Sequence, residues 1–309
     1  MKLLYGLFGL LLANAAWAAP DMLVDGVKMP AWVERGAQRF PLSPGMELSS
    51  GDTLLTGQGA RVLLNAADGS AIKLGENARL QVSALAQKRD GASLFSAALE
   101  VAKGAFRFTT SVLHRLHARD ITVRVAGATA GIRGTDVWGK VGARMSISAL
   151  EKALGKNLDV ADKETKMDFD TVCLIEGKIS ITHGGETPFV MDQPQTFYVM
   201  PKGAAPLPVG GLSSEQLDKW AAETEITAGQ GAARSGGKWK VRLLTADSER
   251  DALAAYDALR GAGYDARIHP LQDGQYQLRI TQLPSRADAE ALARELTGKM
   301  GIVAPTVGR

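Results

Sequence analysis

A chain of 309 residues is long enough for about two domains with real cores. Its formal net charge of only +3 excludes the strongly basic field of a protein that grips nucleic acid with its whole surface. The single cysteine, Cys173, excludes an intramolecular disulfide, so stability must come from packing.

Residues 1–18 read as a cleaved secretory signal peptide. Lys2 supplies the positive start, Leu3 to Leu12 the apolar core, and Ala16-Trp17-Ala18 the small-x-small cleavage pattern. The mature chain would begin near Ala19. The apolar run falls short of the ~20 residues of a membrane span, although an uncleaved anchor stays open as an alternative. No later segment reaches that length without charges, which predicts a mature chain with no transmembrane segment. No cysteine stands at a cleavage point after the run, which argues against a lipoprotein.

Residues 26–200 carry glycine punctuation and short alternating runs, the pattern of an all-β domain. Leu54-Leu55-Thr56 and Arg61-Val62-Leu63-Leu64 read as strands. Asp68-Gly69-Ser70 turns the chain into Ala71-Ile72-Lys73-Leu74. Leu99-Glu100-Val101 and Ala105-Phe106-Arg107-Phe108 flank an expected Lys103-Gly104 turn, and Ile121 to Val125 alternates. Residues 146–170 break the rhythm and read as an insertion with a short helix near Ala149 to Leu154. Thr171 to Ile175 reads as a buried strand with Cys173 a core thiol, and Ile175 to Ile179 as a hairpin. Residues 201–237 read as a linker with one short helix, capped by Ser213 or Ser214 and bearing Leu217, Trp220 and Ala221 on one face. Arg234-Ser235-Gly236-Gly237 reads as a flexible joint.

Several of these segments resemble a FecR-like periplasmic domain. They are Gly51-Asp52, Thr56-Gly57, Arg61-Val62, Asp68 to Ile72, Asn77 to Leu80, Lys103 to Phe106, Glu176 to Ile179 and, most specifically, Ala128-Thr129-Ala130-Gly131-Ile132-Arg133-Gly134-Thr135-Asp136-Val137. Gly131 and Gly134 would free the backbone for positive φ, which gives that segment a structural role. Founding members of the family relay a ferric-siderophore signal to a sigma factor through a cytoplasmic segment and one membrane span. Here a signal peptide stands at the start instead, so the resemblance implies an envelope scaffold or partner-binding domain.

Residues 238–309 read as strand, helix, strand, hairpin, helix, strand. Trp239 to Leu244 alternates, and Ser248 to Arg260 is amphipathic, with Ala252, Leu253, Tyr256 and Leu259 on its inner face. Tyr264 to His269 and Gln275 to Thr281 are joined by a turn through Asp273-Gly274. Pro284 to Glu290 opens the second helix, and Ile302 to Val307 closes the sheet. This order, with Tyr276 to Ile280 and Ser285-Arg286-Ala287-Asp288-Ala289, resembles the SPOR domain, a small α+β ferredoxin-like module that binds peptidoglycan. The fold class expected is therefore multidomain: an all-β FecR-like domain followed by a SPOR-like domain.

Alternation predicts that Trp239, Val241, Leu243, Tyr276, Leu278 and Ile280 face the helices. Lys240, Arg242, Leu244, Gln275, Gln277 and Arg279 would then lie on the open face. Ferredoxin-like order makes the first and third strands central neighbours, which clusters Arg242, Gln277 and Arg279. The resemblance implies a ligand: glycan strands stripped of stem peptides, whose freed lactyl carboxylates suit arginine and whose acetamido groups suit glutamine. The chain departs from the family where Arg242 replaces a usual glutamine and Thr281-Gln282-Leu283 a Gly-Pro-Phe run. The alternative is that Arg242 and Arg279 are solvated surface charges.

His114-x-x-His117 lacks the further ligands of a zinc site, and no hydrolase, metalloprotease or phosphate-loop motif is present. The sequence thus predicts no enzyme, no metal and no cofactor. It predicts a periplasmic cell-wall-binding protein, possible enrichment at the division septum, and an envelope protein as possible partner of the β-domain. The rival reading is an envelope sensor whose tail is structural. RNA binding by the tail is disfavoured, because export and the lack of an exposed aromatic pair on the third strand oppose it.

Overall fold

Period-two burial runs through the first two hundred residues and builds two β-sheets packed face to face. In Arg61–Ala66, for example, Val62, Leu64 and Ala66 are buried and the intervening residues are not. The computed structural model describes residues 21–309 apart from 89–93, 111–118, 126–127, 133, 156, 158, 160–161, 165, 184–188, 202–206, 210 and 212. The expected signal peptide, and His114 with His117, lie outside the described residues.

Hydrogen-bonded neighbours in the first sheet run Ala233–Arg234, Met22–Lys28, Arg61–Ala66, Ala71–Leu74, Leu94–Thr109, Asp136–Ser146, Lys166–Glu176, Thr196–Pro201 and Leu207–Val209. The second sheet runs Gln38–Pro41, Ala31–Arg35, Thr53–Thr56, Arg79–Lys88, Leu94–Thr109, Arg119–Val125, Ala128–Ile132, Ile179–His183 and Phe189–Met191. Leu94–Thr109 belongs to both. Its first half pairs in the second sheet, and its second half crosses into the first at Gly104. Gly104 has φ +85°, and a Cβ there would lie 2.5 Å from Ala78 Cα. The expected Lys103-Gly104 turn is therefore a corner within one strand: the chain changes sheet without reversing.

Glu176-Gly177-Lys178 differs from expectation in the same way. Lys166–Glu176 lies in one sheet and Ile179–His183 in the other, so they form a corner and not a hairpin. The Ala128 to Val137 motif makes a third crossing, at Gly134, while Gly131 sits inside a strand opposite Thr122 and Ser180. The Asp68-Gly69-Ser70 hairpin forms as read, with the Asp68 carboxylate accepting from the Ser70 backbone N–H and hydroxyl.

A second, smaller core lies on the outer side of the first sheet. Ser146 caps the helix Ile147–Leu154, whose Ile147 and Leu150 pack with Trp138, Phe169, Cys173 and Phe197. Ser213 caps Ser214–Ala222 in a capping box with Gln216, and that helix brings Trp220 to stack on Trp138 at 4.8 Å. Cys173 is fully enclosed, and burial, with help from Asp136, pushes its thiol pKa up to about 12.

The segment after this helix is not a free tether. Glu223 binds Lys140, Glu225 binds Lys73 and Arg107, and Ala233–Arg234 pairs with Val27 and Gly26. Further on, the buried Asp288 carboxylate accepts from the Gly229 and Gly231 N–H groups. The expected joint at Arg234 to Gly237 is closed by a Gly237 N–H to Arg234 carbonyl bond.

In the C-terminal domain the strands Trp239–Ala246, Arg267–Pro270, Tyr276–Leu283 and Thr306–Gly308 pair antiparallel in the order second, third, first, fourth. Ser248 and Ser285 cap its helices, Glu249–Gly261 and Arg286–Leu296, which bury Ala252, Leu259, Ala289, Leu292 and Leu296 against Val241, Leu243, Leu278 and Ile280. The helix side faces the sandwich. The Ala31 N–H donates to the Gly263 carbonyl, and Trp32 Nε1 donates to the Gly261 carbonyl at 3.1 Å. A Cβ at Gly263 would lie 2.6 Å from the Trp32 ring, so this docking requires glycine.

The Gly51-Asp52 pair has a clear structural task. Asp52 is buried and accepts two bonds from the Arg35 guanidinium and one from the Ser49 N–H. Burial opposes its ionisation, but these bonds prevail and hold its pKa below the ordinary carboxylate value. Because the folded pKa is depressed, the contribution is complete above the unfolded value of about 4 and fades as pH falls through the folded one. Asp52→Asn should cost about 1–3 kcal/mol in urea unfolding at neutral pH. The two unfolding curves should converge on acidification.

Candidate glycan-binding face

Residues paired in register across a sheet share a face. Arg242 pairs with Arg279, and Arg279 with Arg267 on the outer edge strand, while Thr306 flanks Arg242 on the other side. One row of the helix-free face therefore reads Thr306, Arg242, Arg279, Arg267. The parallel row reads Thr245, Gln277, His269. Neighbouring strands are about 5 Å apart, so the three arginines stand side by side.

Their electrostatics are unusual. Arg267 pairs with Asp265, but among the described residues neither Arg242 nor Arg279 has a carboxylate partner. Arg279 Nε is shielded from solvent and, among the described residues, lacks a hydrogen-bond acceptor. Desolvation, and then the Arg242 charge, lower the Arg279 pKa from its ordinary value. The Arg242 guanidinium lies over Gly308, where a Cβ would meet it at 2.9 Å. Like charges directly opposite one another destabilise a sheet, and an anion seated between them reverses the sign.

The structure brings Arg242, Gln277 and Arg279 together. Lys240 lies on the same strand opposite Gly308, beside the arginine row. Gln275 immediately precedes the third strand and donates from Nε2 to Asp247 at 2.7 Å, so one of its N–H groups is engaged. Leu244 is not on the open face. A bulge sets both Leu243 and Leu244 against Leu278, and Thr245 takes the place opposite Gln277. Sequence reading passed over Arg267, His269 and Thr306. The alternation of Arg267-Ile268-His269 around the half-buried Ile268 carried the signal for the first two; nothing in the short Thr306–Gly308 strand marked the third.

Two family models match the chain. Residues 52–153 match the family model described as FecR protein, and residues 235–307 match the SPOR domain. The chain pairs a FecR domain with a SPOR domain. Two crystal structures of a proposed anti-sigma factor from Parabacteroides distasonis overlap 79% of this chain and 89% of theirs, at 11% and 12% identity and TM-scores of 0.37 and 0.36. That likeness is too low to bear on function. No curated protein sequence matches the chain. The SPOR domain supports peptidoglycan binding and a septum-related role, and the FecR domain a signalling or scaffold role; both are binding or regulatory domains. Among the described residues no helix is long and apolar enough to cross a membrane.

The arginine pair makes a stability prediction opposite to that for Asp52. Arg242→Gln should remove the cross-strand repulsion and stabilise the unliganded protein by about 0.2–1 kcal/mol, read as a raised urea midpoint. The gain should shrink in high salt.

Proposed function

We propose that this chain is a non-enzymatic, exported cell-wall-binding protein of the periplasm. Its SPOR domain holds peptidoglycan glycan strands from which the stem peptides have been removed, and its FecR domain is the scaffold or partner-binding part. The observation that carries this reading is the in-register Arg242–Arg279 pair, in which Arg279 is desolvated and neither arginine has a carboxylate partner among the described residues.

Removal of a stem peptide frees the lactyl carboxylate of the muramic acid. Placed between Arg242 and Arg279, that carboxylate accepts charge-assisted hydrogen bonds and relieves the repulsion. An unprocessed strand presents an amide at the same position, which carries no charge, and the attached peptide crowds the face. Gln277 and Thr245, one row away, suit the acetamido and hydroxyl groups. Lys240 adds long-range attraction. Gln275 keeps its second N–H and its carbonyl oxygen for a ligand while Nε2 holds Asp247.

A second reading has an observation of its own. The SPOR domain is docked on the FecR domain through Trp32, Gly263 and the Glu223 to Gly237 segment. Such coupling suits an envelope sensor in which a ligand or protein on the FecR domain changes how the tail is presented.

Pelleting the full chain with sacculi, before and after amidase treatment, tests the first reading. Binding should rise on stripped sacculi, and Arg242→Ala or Arg279→Ala should each weaken it about tenfold or more. No enhancement on stripped sacculi would leave the sensor as the better account.

A further inference from the structure

An open cleft of about 670 Å³ lies beside the edge strand Arg267–Pro270. Its size falls within the ~300–1,000 Å³ typical of small-molecule sites. Its lining joins the two domains: Ser43 comes from the sandwich, Leu253, Tyr256 and Arg260 from the first C-terminal helix, and Asp265 and Arg267 from the loop and strand that follow.

Arg267 belongs to this cleft and to the arginine row at once. By register it shares the open face with Arg279, yet its guanidinium donates to Asp265 at 3.2 Å in the cleft wall. Arg260 donates to the same carboxylate at 3.1 Å, so two cations stand over one buried anion. Arg260 also lies 5.0 Å from the Tyr256 ring. Next to them Leu253, 45% exposed, is one of few large apolar side chains left open among the described residues. Aliphatic and aromatic carbon beside fixed donors, an acceptor and a hydroxyl matches a pyranose, which has an apolar C–H face and a polar rim.

We propose that a glycan strand on the arginine row continues over the edge strand into this cleft, where Ser43 and the first helix form an additional saccharide subsite. This rests on the glycan reading given above. From Arg242 to Arg267 the row crosses roughly 10 Å of sheet and points at the cleft. The far wall is held in place by backbone bonds, since the Leu42 N–H donates to the Ala31 carbonyl and the Ala31 N–H to the Gly263 carbonyl. The docked FecR domain thereby becomes part of the glycan footprint, and the isolated tail lacks one wall of the subsite.

Calorimetric titration of the full chain with two probes, a stripped tetrasaccharide and a stripped long glycan strand, tests this. Ser43→Trp fills the cleft, and Leu253→Glu sets a carboxylate on its exposed helical side; circular dichroism verifies that both fold. The long strand should bind wild type more tightly than the tetrasaccharide. Each substitution should weaken the long strand about fivefold and leave the tetrasaccharide unchanged. Long-strand binding equal to wild type in both variants would remove the subsite, as would equal losses on both probes. Failure of wild type to bind either probe would overturn the glycan reading itself, and this inference with it.

Discussion

The segment from Glu223 to Gly237 determines where the SPOR sheet can face. It is stitched to the sandwich by ion pairs from Glu223 and Glu225 and by two residues of β-pairing, and to the second C-terminal helix by two N–H bonds to Asp288. The ion pairs are partly solvated and each contributes little. More of the hold comes from Thr224, Ala232 and Ala233, which are buried, and from a core that runs unbroken from Val27 and Met29 into the C-terminal domain. With the helix side turned inward, the arginine row is left on the outer face. The sandwich and the arginine row thus lie on opposite sides of one small sheet.

On that face the energetics of the free protein and of the bound one pull apart. Three arginines in register, with one carboxylate among them, store repulsion in the unliganded sheet. The strand pairing runs through backbone groups, and the inner face is filled by Val241, Leu243, Leu278 and Ile280. Such a cost is of the kind that a bound anion would offset, as the proposed function requires. Under the proposed function, removal of a stem peptide would create the carboxylate that the pair lacks, and the same removal would clear the face of peptide.

Much of the C-terminal domain was legible in the sequence because its strands alternate cleanly. Val241, Leu278 and Ile280 point inward as the pattern requires, and the first and third strands are neighbours, which is what joins Arg242 to Arg279. The bulge at Leu243 and Leu244 was not legible, since two adjacent leucines satisfy either register. In the sandwich, glycine announced where the chain bends but not how. Lys103-Gly104 and Glu176-Gly177 read as reversals, yet each carries the chain from one sheet to the other, a distinction set by pairing with distant strands. The Ala- and Gly-rich segment before Lys238 looked free because its anchors, Lys140, Asp25 and Asp288 among them, lie far away in sequence. Local composition describes freedom in the unfolded chain; long-range contacts remove it.

The most direct test of the account is the arginine side-chain Nε–H signal of Arg279, followed by nuclear magnetic resonance during titration with stripped glycan. In the structure this group is buried and, among the described residues, without an acceptor. If the lactyl carboxylate seats between Arg242 and Arg279, the signal should shift and gain protection from exchange in step with binding. A glycan that saturates the protein while the Arg279 signal stays unchanged would contradict the central claim and place the glycan elsewhere on the molecule.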